Sequence, residues 1–341
     1  MNISIQLKSI LARLLYFSGT TNILLRYNSI NKYLILNYHR VISFKESETR
    51  VQSGMYVEPE TFMMQIKYLK KNFNIIPISK IFKEINKYSF ASCYKPICIL
   101  TFDDGWYDFY KYAFPILLKY EVPATVFLPT KFIGTDKTFW TDRLTKLFME
   151  KESKILKKDQ RIENTIVRQL INIKGSLDSK IENAIQILKN YREDEIYNII
   201  NEMIDMYDVS IDLKERVFLN WEEVRNMVKT GIVNIGSHTV NHRILNFLDK
   251  EEIFYELIES KNNLIEQDVV DSSFIPFCYP NGNYNEMVLG LVKNAGYHVA
   301  VTTENKWNNL EVPFFKLKRV AVHQDISSSK PMYSCIVNNI F

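Results

Sequence analysis

The sequence predicts an α/β fold built on a parallel sheet or a (β/α) barrel. Three observations lead there. Short apolar runs bounded by turn residues alternate with segments of helical periodicity over most of the chain. Two of these runs end in clusters of carboxylate or imidazole residues, the arrangement expected at the C-terminal ends of barrel strands. The chain has 341 residues and is 46% hydrophobic. That suffices for a sizeable core in one large domain or two smaller ones.

The elements follow in order. Residues 1–17 hold Ile3, Leu7, Ile10, Leu11, Leu14 and Leu15 at roughly helical spacing, with Lys8 and Arg13 between them. Residues 1–32 are therefore read as an amphipathic helical segment. Packing against the protein and lying on a membrane surface are both open to it. Arg13 interrupts the apolar run, no small-residue cleavage site follows, and the run is too short to span a bilayer. A cytoplasmic chain is expected, with peripheral membrane contact through this helix as the functional alternative.

Strand–helix alternation begins at residue 33. Tyr33–Tyr38 reads as a buried strand ending at His39 and Arg40, followed by a helix over Pro59–Lys71. A short strand over Phe73–Pro77 and a helix over Ile78–Tyr88 come next. The strand Ile97–Phe102 precedes a helix over Phe109–Tyr120 and a strand over Ala124–Leu128. From about 138 to 218 the chain turns rich in Lys, Glu, Ile and Asn, and apolar residues recur at helical spacing, as in Ile181, Ala184, Ile185 and Leu188. This stretch is read as an inserted set of helices that is not a separate folded unit. Alternation resumes with a helix start at Trp221, strand Ile232–Ile235, helix Lys250–Glu266, strand Phe274–Cys278 and helix Asn285–Asn294. Strands over Val299–Thr302 and Leu317–Val322 complete a body spanning 33–323, and 324–341 are read as a tail.

Composition narrows the class. The net charge of +4 is small, and no basic arm or arginine-rich stripe argues for nucleic acid. The 21 Phe and 20 Tyr allow stacking on flat polar ligands such as sugars, although an aromatic core explains most of them. Cys93, Cys98, Cys278 and Cys335 form no metal-ribbon spacing. They are read as free thiols, with a Cys93–Cys98 disulfide as a minor alternative.

The chemistry concentrates at two strand ends. Strand Ile97–Phe102 runs into Asp103, Asp104 and Gly105. Buried carboxylates are rare unless paired, hydrogen-bonded or bound to a metal, and the glycine permits a sharp turn. An Asp-Asp-Gly turn capping the next helix is the bland alternative. Downstream, His238 and His242 follow the strand at Ile232–Ile235. Four apart, they are expected on one side of a helical turn, where both imidazoles reach one ion. Adding one Asp gives a two-His, one-carboxylate set suited to Zn²⁺ or Fe²⁺ that activates a water, while the second Asp serves as general base.

These residues resemble a known family. Thr101–Gly105, then Ser237–His242, then Phe277–Gly282 with its Tyr279-Pro280 pair, are similar to the motifs of polysaccharide deacetylases with a NodB-homology domain, carbohydrate esterase family 4. Weaker matches lie at Leu36–Val41 and Asn220–Val224. The resemblance covers most of residues 33–323 apart from the helical insertion. It implies a distorted (β/α) TIM-like barrel and one divalent metal, Zn²⁺ first, with Fe²⁺, Co²⁺ or Ni²⁺ as alternatives. Asp104, His238 and His242 would be the ligands and Asp103 the base. The reaction implied is removal of N-acetyl groups from a carbohydrate, with a backbone N–H near Asn281 meeting the oxyanion.

The match has departures. Many members place an Arg before the Tyr-Pro of the third motif, and Cys278 stands there instead. Arg319 on the last strand is a candidate replacement. Many supply an acid in a Leu-x-His motif, whereas Ala321, Val322 and His323 offer the His without the Leu. His39 is read as a partner behind the site and His298 as structural. An O-acetyl esterase and a non-catalytic glycan-binding barrel remain alternatives. A phosphatase is disfavoured because neither an Asp-x-Asp pattern nor a second metal set is visible.

Overall fold

In the computed structural model, the described residues are 3–47, 54–84, 95–151, 164–209 and 216–341. They separate into two compact units: Met1–Ile42, Tyr56–Thr135 and Phe218–Phe341 form one, and Ser43–Met55 with Asp136–Val217 form the other.

The first unit is organised by six parallel strands. These are β1 (Lys32–Tyr38), β2 (Ile97–Phe102), β3 (Ala124–Leu128), β4 (Val233–Ser237), β5 (Pro276–Cys278) and β6 (Val299–Val301), hydrogen-bonded in that order. Both faces of β1 to β3 are covered, which is why these strands read as continuous apolar runs. The segment Leu317–Ala321 then brings the curled sheet round on itself. Leu317 bridges Val301 on β6, and Val320 pairs with Leu36 on β1. The result is a distorted barrel, as expected.

Its interior is layered. Tyr33, Ile35, Ile97, Ile99, Phe127, Val299, Val301 and Leu317 pack into one buried apolar cluster. The two-residue period of the strands carries the same inward face up to Asn37 on β1 and to Thr101 and then Asp103 on β2. The barrel core therefore turns polar at its C-terminal rim.

Around the sheet lie α1 (Ile3–Phe17), α2 (Thr20–Asn28), α3 (Lys250–Glu266) and α4 (Lys330–Val337) among other helices. Residues 324–341, expected as a tail, instead form a short helix over Gln324–Ser327 followed by α4. Met332 and Cys335 of α4 bury against Ala12 of α1, so the C-terminus is part of the fold. The helix expected over 109–120 begins as a π-helix at Phe109–Ala113. Pro115 has no N–H to close an α-helical bond on Lys111, and the turn widens there.

The second unit contains helices Trp140–Lys151, Thr165–Ile171, Leu177–Leu188 and Glu193–Tyr207. They bury a core of their own that includes Leu144, Phe148, Leu170, Ile185, Leu188, Ile200 and Met203. The insertion is thus a compact unit by itself, contrary to the reading from periodicity. Each helix buries its stripe against the others. Cys98, Cys278 and Cys335 are free and buried, while Cys93 and the end of the helix expected to reach Tyr88 lie outside the described residues.

Gly236 on β4 marks the tightest packing next to the site. A methyl group there would stand 2.8 Å from the Pro276 carbonyl oxygen and 2.5 Å from the Phe127 ring. Gly236→Ala should lower unfolding free energy by about 1–3 kcal/mol in urea titrations. Gly290→Ala, where the added carbon meets nothing within 4 Å on a helix, should raise it by roughly 0.5–1 kcal/mol. Equal effects at the two positions would contradict this packing.

Candidate active site and metal centre

Past the end of β2, the backbone makes two consecutive left-handed residues, Asp104 (φ 75°) and Gly105 (φ 66°). Asp tolerates this region better than most side chains. The kink divides the two carboxylates. Asp103 still follows the strand, donating its N–H to the Tyr38 carbonyl, and its side chain enters the barrel. Asp104 turns away toward β4.

Asp103 meets Arg319. The guanidinium donates from Nη1 to Oδ1 at 2.7 Å and from Nη2 to Oδ2 at 2.8 Å. Nη1 also reaches Asn37 Oδ1 (2.9 Å) and Thr101 Oγ1 (3.2 Å). Nη2 reaches Cys278 Sγ (3.2 Å), and Nε donates to the Thr302 carbonyl at 2.9 Å. All three nitrogens of a side chain only 1% exposed are therefore engaged. The candidate arginine on the barrel-closing segment thus meets Asp103 in space, with the Cys278 sulfur beside it. Burial alone would raise the Asp103 carboxyl, but the charge and hydrogen bonds of Arg319 outweigh it and hold Asp103 below its ordinary value.

Asp104 faces the two imidazoles. Its Oδ1 lies 3.5 Å from His238 Nε2 and 3.3 Å from His242 Nε2. Its Oδ2 accepts from the Trp106 indole at 3.0 Å. Burial would raise this carboxyl too, yet the hydrogen bond with His238 and the nearby His242 hold it well below the usual range. The His242 imidazole is pushed down to about 4, by burial and by the neighbouring His238. Burial would also depress His238, but Cys278 and the two carboxylates outweigh it and raise this ring.

The loop holding both His residues is not helical. Thr239 (φ 68°) and His242 (φ 60°) are left-handed, so the expected helical turn is replaced by a folded loop. Glu256 of α3 builds it. This fully buried carboxylate accepts from the amides of Val240 and Asn241 at 2.9 and 2.8 Å, and from the Asn241 side chain at 2.7 Å. Thr239 Oγ1 accepts from His242 N at 2.9 Å. The two imidazoles still converge, with ring centroids 4.7 Å apart.

The donor chemistry fits a divalent ion. Asp104, His238 and His242 each offer a ligand atom within 4.8 Å of the others. His238 Nδ1 lies 2.8 Å from the Cys278 carbonyl. Donation of Nδ1–H to that oxygen turns Nε2 toward Asp104, and Nε2 is the atom that would face an ion once its own proton is displaced. A second set, Asp103, His238 and Cys278, meets the same distance criterion, but Arg319 occupies both Asp103 oxygens and contacts the thiol. A cation there would face a guanidinium.

The remaining sequence candidates divide. His39 Nε2 stands 3.8 Å from Asp103 Oδ2. His323 follows Val322, whose amide bonds to Asn37 at the same rim, and its Nδ1 lies 3.2 Å from Asp325 Oδ2. His298 accepts from the Ile275 amide and packs on Phe82 and Phe274, away from the carboxylates in its contacts. Sequence reasoning missed Trp106, Glu256 and the Arg40–Asp108 pair. Arg40 Nε donates to Asp108 at 2.7 Å while its guanidinium covers the Trp106 ring. One signal was available: Glu256 shares the buried face of α3 with Ile253, Leu257, Ser260 and Leu264, and an acid on an apolar stripe needs partners.

Comparison with known proteins bears on the family and the fold. The polysaccharide deacetylase family model matches residues 93–164 and 174–300. YxkH of Bacillus subtilis (strain 168) is 30% identical over 163 residues, covering 47% of this chain and 53% of that protein. The poly-beta-1,6-N-acetyl-D-glucosamine N-deacetylase of Staphylococcus aureus (strain MSSA476) is 30% identical over 182 residues, 49% of this chain and 59% of that one. The chain thus spans a little over half the length of these two relatives. The Streptococcus pyogenes deacetylase PplD, solved in complex with acetate, superposes with a TM-score of 0.57 at 19% identity, over 89% of this chain and 97% of that one. That likeness is one of fold. With the family model matching more than half its length, this chain belongs to the polysaccharide deacetylase family.

Proposed function

We propose that this protein is a metal-dependent hydrolase that removes N-acetyl groups from a carbohydrate. The observation that carries the reading is the division of one strand tip. Asp104 joins two imidazoles in a cation-binding set, while the adjacent Asp103 is held ionised by a buried guanidinium. The Staphylococcus aureus relative, named for poly-beta-1,6-N-acetyl-D-glucosamine, supports a polymer or oligomer of N-acetylglucosamine as the substrate class.

Asp104, His238 and His242 would hold the ion, with Zn²⁺ the first expectation for two imidazoles and one carboxylate. When bound, the ion would supply Lewis acidity for activating a water and polarising the amide carbonyl. Asp103 takes the proton from the attacking water. Arg319 fixes the plane of that carboxylate and keeps it charged, so the base is always available though individually weak. Attack on the acetamide carbon gives a tetrahedral oxyanion, which we assign to a backbone N–H of the left-handed turn at Asn281 (φ 55°), past the end of β5. Collapse of that species breaks the C–N bond. His323, oriented by Asp325, donates the proton to the leaving amine, since His39 faces the base. Acetate and the free amino sugar leave.

Acetate release from N-acetylglucosamine oligomers, measured beside an O-acetylated glycan with and without chelator, tests the reading directly. Release from the N-acetyl substrate that stops with chelator and returns with Zn²⁺ is expected, and release from the O-acetylated glycan alone would contradict it. Asp103→Asn should keep its metal by elemental analysis and lose roughly 10²–10⁴ in kcat, the usual range for a general base. His242→Ala should lose the ion itself.

The pH profile has a defined sign. Removing the guanidinium leaves burial, which raises Asp103, so Arg319→Met should move the acid limb of kcat/KM to higher pH. Arg319→Lys, which keeps the charge without the two-pronged contact, should move it less. His323→Ala should lower kcat by roughly 10²–10⁴, the usual range for a general acid. An acid limb unmoved in the Arg319 variants would remove Asp103 as the base.

A further inference from the structure

We propose that α1 and α2 form a docking surface for an anionic lipid bilayer. One face of α1 is already taken. Ala12 is buried with Met332 and Cys335, and Leu15, Ile340 and Phe341 pack against them. Asn28, at the end of α2, donates to the Asn338 carbonyl at 3.0 Å. The pair is therefore clamped to the barrel unit and presents a fixed outer face.

That outer face is apolar. The 100° step of a helix gathers Leu7, Ile10, Leu11, Leu14 and Phe17 into one arc opposite Ala12. All are exposed, Phe17 by 78% and Leu14 by 64%. Ile23 and Tyr27, at i and i+4 on α2, and Ile30 in the turn that follows are exposed as well, Tyr27 by 74%. More than half of the exposed large apolar side chains among the described residues lie on this short stretch. Soluble surfaces rarely gather so many in one place without a partner.

Charge identifies the occupant. The chain carries 39 acidic residues, yet none occurs before Glu46. Arg13, Arg26 and Lys32 are exposed around the apolar arc, and Lys8 lies over the Phe341 ring at 5.5 Å. Two copies meeting through this face would bring like charges together. An anionic headgroup layer matches the cations while its acyl boundary accepts the apolar arc. No described helix is long and apolar enough to cross a membrane, so the contact is interfacial. The α2 helix leads into the start of β1, whereas the carboxylates stand past the end of β2, so docking leaves the site open.

Flotation of the full chain with vesicles of phosphatidylglycerol and phosphatidylcholine tests the proposal. The protein should float with mixed vesicles at low salt, much less with pure phosphatidylcholine, and less again as salt rises. Leu14→Glu with Phe17→Glu should cut binding by about tenfold or more, because charge replaces buried apolar area. Arg13→Glu with Arg26→Glu, both exposed and tolerant of change, should weaken binding and flatten its salt dependence. Hydrolysis of a soluble oligomer should stay at the wild-type rate in both variants, reporting intact folding. Absence of flotation at low salt would overturn the proposal, as would binding that survives both double variants. So would a dimer in sedimentation velocity that the Leu14 and Phe17 changes dissociate without any lipid binding.

Discussion

A guanidinium buried inside a barrel is tolerable only if every N–H finds an acceptor, and the rim of this barrel is organised around that requirement. Arg319 satisfies it with Asp103, Asn37, Thr101, Cys278 and the Thr302 carbonyl. These partners come from β1, β2 and its tip, β5 and the end of β6. The same contacts that neutralise the arginine therefore tie the last segment to the first strands. A lysine could not replace it, since one ammonium cannot reach acceptors spread around a planar fork.

This constraint separates the roles of two adjacent carboxylates. With both oxygens engaged by Arg319, Asp103 is a poor candidate for sharing an ion and stays charged below its ordinary pKa. The left-handed turn at Asp104 sends the second carboxylate to the other side, where Trp106 takes one oxygen and leaves the other to the imidazoles. Support behind these groups comes from charge again. Asp108 pairs with Arg40 beneath Trp106, and Glu256 gathers the amides of the His loop. Each buried ion near the site has a specific polar partner, as the cost of burying charge demands.

Local pattern revealed a good deal of this. The strand Ile97–Phe102 and the helix Lys250–Glu266 have the boundaries expected from their apolar runs and flanking polar residues. The Asp and His positions were legible because several rare, chemically capable residues followed strand signals. Long-range features were less accessible. Arg319 lies 216 residues from Asp103, and only closure of the sheet puts the two together. The His loop looked helical because a four-residue spacing says nothing about the left-handed residues that Glu256 and Thr239 stabilise from the side. Helical periodicity in 138–218 showed a set of inserted helices but not that they bury against one another. The C-terminal helix was missed for a similar reason: its partner is α1, at the other end of the chain.

The central claim is that the Arg319–Asp103 pair holds site and barrel together, and a double-mutant cycle on stability measures it most directly. Arg319→Met and Asp103→Leu would each leave an uncompensated buried charge, costing about 3–5 kcal/mol in urea denaturation. Combined, they remove both charges, so the double variant should be more stable than the sum of the single losses by at least about 2 kcal/mol. Strict additivity would contradict the account, because it would mean that the two groups do not depend on each other.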